Sequence, residues 1–136
     1  FNPKESIDFN GNTGPFIQYT HARIQSVLRK AEDQGIVIPE NLNSTILLSE
    51  KEEGLVQLLS EFDYVVKQAG SEYNVSLIAN YIYDLAKEYN QFYHDFTILR
   101  EENSPLRDFR LVLSKNVALT IKKGMSFFGI DVPDRM

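Results

Sequence analysis

Between Ser104 and Phe128, the residues Leu106, Phe109, Leu113, Val117, Ile121, Met125 and Phe128 recur at spacings of three and four. That period follows one face of an α-helix and does not suit a strand, whose faces alternate at every second residue. Leu111 and Ala118 add apolar character on another face of the same helix. A helix that is apolar on most sides has to be enclosed, so the rest of the chain must pack around it.

The remaining sequence supplies further helices. Asn12-Thr13-Gly14-Pro15 offers a helix start, with a capping side chain at Asn12 or Thr13 and Pro15 where a missing N–H costs nothing. A first helix is expected from about Pro15 to Asp33, with Ile17, Ile24, Leu28 and Ala31 as its aliphatic stripe and Gly35 as its stop. Ser49 with Glu52 is a capping box, and Leu55, Leu58, Leu59, Phe62, Val65, Val66, Ala69 and Tyr73 predict one helix ending near Gly70 to Tyr73. Ser76 is expected to cap a third helix carrying Ile78, Ile82, Leu85, Tyr89, Phe92 and Phe96. Ser104, as cap, and Pro105 open the fourth, and Gly129 and Pro133 close it. The fold class is therefore all-α, a helical bundle of four main helices. A loop or short extended segment over residues 35–49 joins the first two, and residues 1–11 read as a tail or short strand.

Composition sets bounds on function. A chain of 136 residues makes one domain, and 43% hydrophobic with 24% charged residues is ordinary for a globular one. The absence of cysteine removes disulfides, zinc–thiolate clusters and thiol nucleophiles, and fits a cytoplasmic setting. A net charge of −5 argues against a surface that grips duplex DNA, and no apolar run is long enough to span a membrane. The sequence opens at Phe1 with no targeting pattern, as expected of a piece of a longer protein. Phosphate-binding glycine loops and nucleophile elbows are missing from it. His21 and His94 lie on different helices and form no metal-binding pair, so each reads as a surface or packing residue. Glu50, Glu52, Glu53, Glu101 and Glu102 cluster at helix starts and loops, where dipole complementation and solubility explain them. No metal site and no catalytic constellation is expected.

The aromatic residues are left over. Seven Tyr and nine Phe concentrate on the first and third helices. At about 100° per residue, Phe16, Tyr19, Arg23 and Lys30 form a stripe set off from the aliphatic one. Tyr93 and Tyr81 lie at opposite edges of the third helix's apolar stripe. Rings beside an arginine suit unpaired bases, which stack on the rings while the guanidinium meets base edges or phosphates. A second reading stays open, in which Phe16 and Tyr19 widen the buried face and Arg23 snorkels past them.

The stretch GNTGPFIQYTHARIQSVLRKA resembles the helix that opens the anticodon-binding domain of arginyl-tRNA synthetases. The likeness continues through LVQLLSEFDYVVKQA, IANYIYDLAKEYNQFYHDFTIL and SPLRDFRLVLSKNVALTIKKGMSFFGIDVPDRM, with Arg-Met closing as in that family. SPLR stands where the family's name-giving D-A-L-R would be, with Ser104 capping, Leu106 packing and Arg107 near the surface. The resemblance implies that residues 1–13 are the tail of a catalytic region or a connector, and residues 14–136 a DALR-type anticodon-binding domain. It implies a parent arginine–tRNA ligase using ATP with Mg²⁺ in an upstream domain, since the family's HIGH-like and KMSK-like motifs are absent here. The fragment itself is then inactive and holds no cofactor. Its implied partners are the anticodon loop of arginine tRNA and the catalytic domain of the same chain, with no membrane and no DNA. By position, the resemblance assigns Phe16, Tyr19, Arg23, Tyr93 and Met136 to RNA binding. Phe16 lacks the hydroxyl of the usual Tyr, and Thr97 replaces an aromatic that some members carry. A helical protein–protein module, and the anticodon module of another class I synthetase, are the alternatives.

Overall fold

The computed structural model describes residues 13–40 and 47–136. The expectations of a tail, connector or short strand before Thr13, of a cap at Asn12, and of an extended pair around Asn41 fall wholly or partly outside the described residues. Among those described there are five helical segments and no strand: α1 (Thr13–Asp33), α2 (Glu50–Ser60), α3 (Phe62–Ser71), α4 (Ser76–Asp95) and α5 (Ser104–Ser126). They build the expected bundle of four main helices, with α2 and α3 as two halves of the second.

The sequence gives no sign of the break at Glu61, which has neither Gly nor Pro beside it. Its cause lies on a neighbouring helix. The Tyr81 hydroxyl of α4 donates to the Leu58 carbonyl, and the Glu61 amide bonds Leu58 and Leu59 in a tightened turn. A side chain that enters the i→i−4 ladder kinks a helix. The Phe62 and Tyr81 rings pack beside the break with centroids 5.7 Å apart.

Helix ends follow local chemistry, with two corrections. The capping box of Ser49 and Glu52 forms in both directions. At α5, however, Asn103 is the cap, its Oδ1 accepting from the Leu106 amide, and Ser104 is already helical. At α4, Asn74 rather than Ser76 receives the free amide, through its Oδ1 at 3.1 Å from Ser76 N. In both cases an Asx side chain sits just before the expected Ser, and its carbonyl reaches the helical amides with good geometry. Gly35 and Gly129 take positive φ of 76° and 68° and close α1 and α5. Behind them, Ile36 N reaches Ala31 O at 2.9 Å and Ile130 N reaches Met125 O at 3.2 Å. Tyr73 does the same job after α3 at φ 51°, a conformation that costs a non-glycine residue.

The core lies where α5 meets α4, α1 and α2. Ile17, Ile24 and Ala31 of α1, Ile82, Leu85, Tyr89 and Phe92 of α4, and Leu111, Val117, Ile121 and Met125 of α5 are inaccessible to solvent. Each large apolar side chain so buried contributes about 1.5–3 kcal/mol. α5 is enclosed on several faces, as its sequence requires. The α4–α5 crossing is tight: a Cβ on Gly124 would fall 2.2 Å from Ile82 Cδ1. Tyr89, buried between these helices, donates to Ser114 Oγ at 2.8 Å, which donates in turn to the Arg110 carbonyl.

Candidate functional site

With Ile17, Ile24 and Ala31 turned inward, the helical period carries Tyr19 and Arg23 to the side of α1 that faces the end of α4. Tyr93 arrives there from the last turn of α4. The Arg23 guanidinium lies between the two rings, 4.9 Å from the Tyr19 centroid and 4.5 Å from that of Tyr93. Both distances are within the range of cation–π attraction. Its nitrogens are also directed, donating to Asn90 Oδ1 at 2.7 Å and to the Tyr19 hydroxyl at 3.1 Å. Asn90 is itself fixed, because its amide nitrogen donates to Thr20 Oγ1 and to the Ala86 carbonyl, each at 2.8 Å. Arg23 is thus held in place rather than snorkelling freely. The rings remain open to solvent, Tyr19 at 47% and Tyr93 at 37% exposure.

The Tyr19–Arg23–Tyr93 row borders a cleft of about 370 Å³, whose lining also includes Arg29, Lys30, Arg135 and Met136. Four cations and no carboxylate side chain line it. A second cleft of about 510 Å³ adjoins it and shares Val27, Lys30 and Tyr93 as a common wall. Its far side is the α4–α5 connection, Phe96 to Arg100, and it too lacks carboxylates. The chain's net charge of −5 therefore hides a local basic surface. Acidic side chains such as Glu61, Asp84 and Glu88 line a different hollow, between α2 and α4. Since exposed charges are screened beyond roughly 8–10 Å at physiological salt, the local set decides what enters the cleft.

Two devices hold the cleft walls. Residues after α5 run beside α1, where Gln18 donates to the Asp131 carbonyl at 3.0 Å and Arg29 to that of Asp134 at 2.9 Å. His21 Nδ1 lies 2.9 Å from the Pro133 carbonyl. Hydrogen bonds of this kind contribute roughly 0.5–1.5 kcal/mol each. The α4–α5 connection is fixed by Arg110, a buried guanidinium paired with Glu52 at 3.2 Å and Glu101 at 3.3 Å. Arg110 also donates to the Thr97 carbonyl at 2.6 Å and lies over the Phe96 ring. Glu52, expected as a capping-box member at a helix start, is thus also a buried counter-ion.

Of the expected contact residues, Tyr19, Arg23, Tyr93 and Met136 come together in the first cleft. Phe16 does not line it. Its ring is half-buried and packs on Tyr83 of α4, with centroids 5.9 Å apart. Thr97 lines the second cleft. Arg107 forms an ion pair with the adjacent Asp108. Sequence reasoning missed Asn90, Gln18, Arg29, Arg110 and Arg135, and it placed His21 no further than surface or packing. Pattern could have shown only that Gln18, His21 and Arg29 fall on one side of α1. Among the described residues no group of His, Asp and Glu is placed to hold a metal ion. None of the described helices is long and apolar enough to cross a membrane.

The family described as DALR anticodon binding domain matches residues 17–136. Over all 136 residues the chain is 69% identical to an arginine–tRNA ligase of Bacteroides thetaiotaomicron and 50% identical to one of Flavobacterium psychrophilum. It spans 23% and 22% of those proteins. Among solved structures, the arginyl-tRNA synthetase of Thermus thermophilus superposes with a TM-score of 0.80 at 30% identity, over the whole of this chain and 23% of that one. A putative arginyl-tRNA synthetase of Campylobacter jejuni gives 0.76 at 28% identity, over 89% of this chain and 26% of that one.

Proposed function

The chain belongs to the DALR anticodon binding domain family, and from that premise we propose that it recognises the anticodon loop of arginine tRNA as part of a longer arginine–tRNA ligase. The observation that carries this reading is the Tyr19–Arg23–Tyr93 row beside a cleft whose charged side chains are all cations. Loop bases splayed from their stack lie on the exposed ring faces and present their edges to the polar groups of the cleft. Arg23, braced by Asn90, keeps the rings apart and offers charge between them. Arg29, Lys30 and Arg135 meet the phosphates that follow the bases into the cleft. Met136 supplies an apolar side chain at the rim. Phe16 acts one step removed, by packing on Tyr83 and setting how α1 seats on α4.

Residues 1–13 connect this domain to the region that activates arginine with ATP and Mg²⁺ and transfers it to tRNA. The cytoplasm is its place of action. In the full-length ligase, Tyr19→Ala is expected to cost about 1–3 kcal/mol of tRNA recognition, the value of one stacked base. Arginine activation measured by pyrophosphate exchange should stay near the unmodified rate. Unchanged aminoacylation kinetics in that variant would count against the assignment.

A further inference from the structure

The cleft has one wall that the helices do not build. Arg135 and Met136 reach it on the segment after α5, and Asp134, Arg135 and Met136 are all exposed. The apolar anchors of that segment, Ile130 and Val132, come earlier. Beside these anchors the segment makes polar contacts with α1. Gln18, His21 and Arg29 meet the main-chain oxygens of Asp131, Pro133 and Asp134 in the same order along both segments. The tail therefore runs parallel to α1, toward the end of the helix that borders the cleft.

His21 is the buried member of this ladder, at 2% exposure. A carbonyl oxygen only accepts, so the Nδ1 facing Pro133 carries the proton. Nε2 faces the Gln25 amide nitrogen at 3.5 Å, so both ring nitrogens have a polar neighbour. Because the partners are backbone oxygens, the ladder fixes the path of the tail rather than reading its side chains. α1 also carries Tyr19 and Arg23, so a single helix sets the stacking row and, through the ladder, the opposite wall.

We propose that His21, with Gln18 and Arg29, is a positioning residue that latches the segment after α5 and so holds Arg135 and Met136 as a wall of the RNA cleft. The proposal rests on the anticodon reading above. His21 acts through the tail, touching no RNA itself.

The test uses the full-length protein and two readouts, NMR order parameters of the tail amides and binding of an arginine-tRNA anticodon stem-loop. His21→Leu keeps apolar bulk and removes the donor. The order parameters of Asp134, Arg135 and Met136 should then fall into the flexible range, below about 0.6. Stem-loop affinity should fall several-fold, while order parameters in α4 and α5 stay unchanged. His21→Asn, whose amide nitrogen sits near the Nδ1 position, should restore both readouts. In a protein ending at Asp134, His21→Leu should weaken binding no further, since the wall it holds is gone. Unchanged tail order parameters in His21→Leu, or an equal loss of affinity with and without residues 135–136, would overturn the latch and leave the anticodon reading standing. If the unmodified protein binds the stem-loop no better than a hairpin of scrambled loop sequence, the anticodon reading fails and the proposal with it. Tail order parameters would still report whether the ladder forms.

Discussion

At the scale of single residues, the account depends on how a guanidinium is held. An arginine on a helix surface samples many rotamers, and ordering it costs entropy. Arg23 meets that cost in advance through two rings and one amide oxygen. Asn90 is the part that sequence alone did not reveal, because an asparagine in a helix gives no sign of which neighbour it faces. Asn90→Ala is expected to weaken stem-loop binding by about 1.5–3 kcal/mol, the range for a hydrogen bond to a charged group. Titration of the variant against the stem-loop checks this, and an unchanged affinity would deny the oxygen its role. Tyr19 and Arg23 were legible from helical period and from family likeness together. Period separated them from the aliphatic stripe, yet gave the same stripe to Phe16, whose ring turns onto Tyr83. The difference is set by a residue on another helix, which no local pattern encodes.

At the scale of elements, most boundaries were written into the chain. Ser49 with Glu52, Gly35 and Gly129 each supply a cap whose chemistry is local. The break between α2 and α3 was not legible, because the Tyr81 hydroxyl that takes the Leu58 carbonyl is distant in sequence. The same contrast between local and tertiary causes appears in two helical glycines. A methyl group added at Gly54 would meet no heavy atom within 4 Å, whereas one at Gly124 would press into Ile82 of α4. Gly54→Ala should therefore stabilise the chain by roughly 0.5–1 kcal/mol, through helix propensity alone. Gly124→Ala gains the same propensity but forces Ile82 off its position, at a cost of about 1–3 kcal/mol. The expected outcome is a higher urea midpoint for the first variant and a lower one for the second. A raised midpoint for Gly124→Ala would mean that α4 and α5 do not approach as closely as described.

At the scale of the whole molecule, two global properties follow from what is buried. Tyr89 is enclosed in the core, and burial, the largest effect, pushes its hydroxyl far above the ordinary tyrosine range. Nearby Tyr93 adds to that direction, while the Ser114 hydrogen bond and Arg23 oppose it. Tyr81 is raised too, by burial first and then by Glu61 and Asp63. The sign is direct. Above about pH 10 an unfolded tyrosine releases its proton while the folded one keeps it, so stability falls as pH rises. The slope is at most about 1.4 kcal/mol per pH unit for each such group. Tyr89→Phe should show a shallower decline between about pH 10 and 12 by close to one proton's worth, measured by urea unfolding across that range. An unchanged slope would mean that Tyr89 ionises freely in the fold.

The other global property is charge. Net charge pointed away from a surface that grips duplex DNA, and only the folded chain gathers Arg23, Arg29, Lys30 and Arg135 around one cleft free of carboxylate side chains. The most direct measurement is binding of an arginine-tRNA anticodon stem-loop across salt concentrations, beside a hairpin of the same stem with substituted loop bases. If two to four phosphates are neutralised, log K should fall against log salt with a slope of roughly −1.4 to −2.8. The substituted hairpin should bind more weakly at every salt concentration, and Tyr93→Ala should narrow the gap between the two. Equal affinity for both hairpins, or binding indifferent to salt, would contradict recognition of the anticodon loop by this cleft.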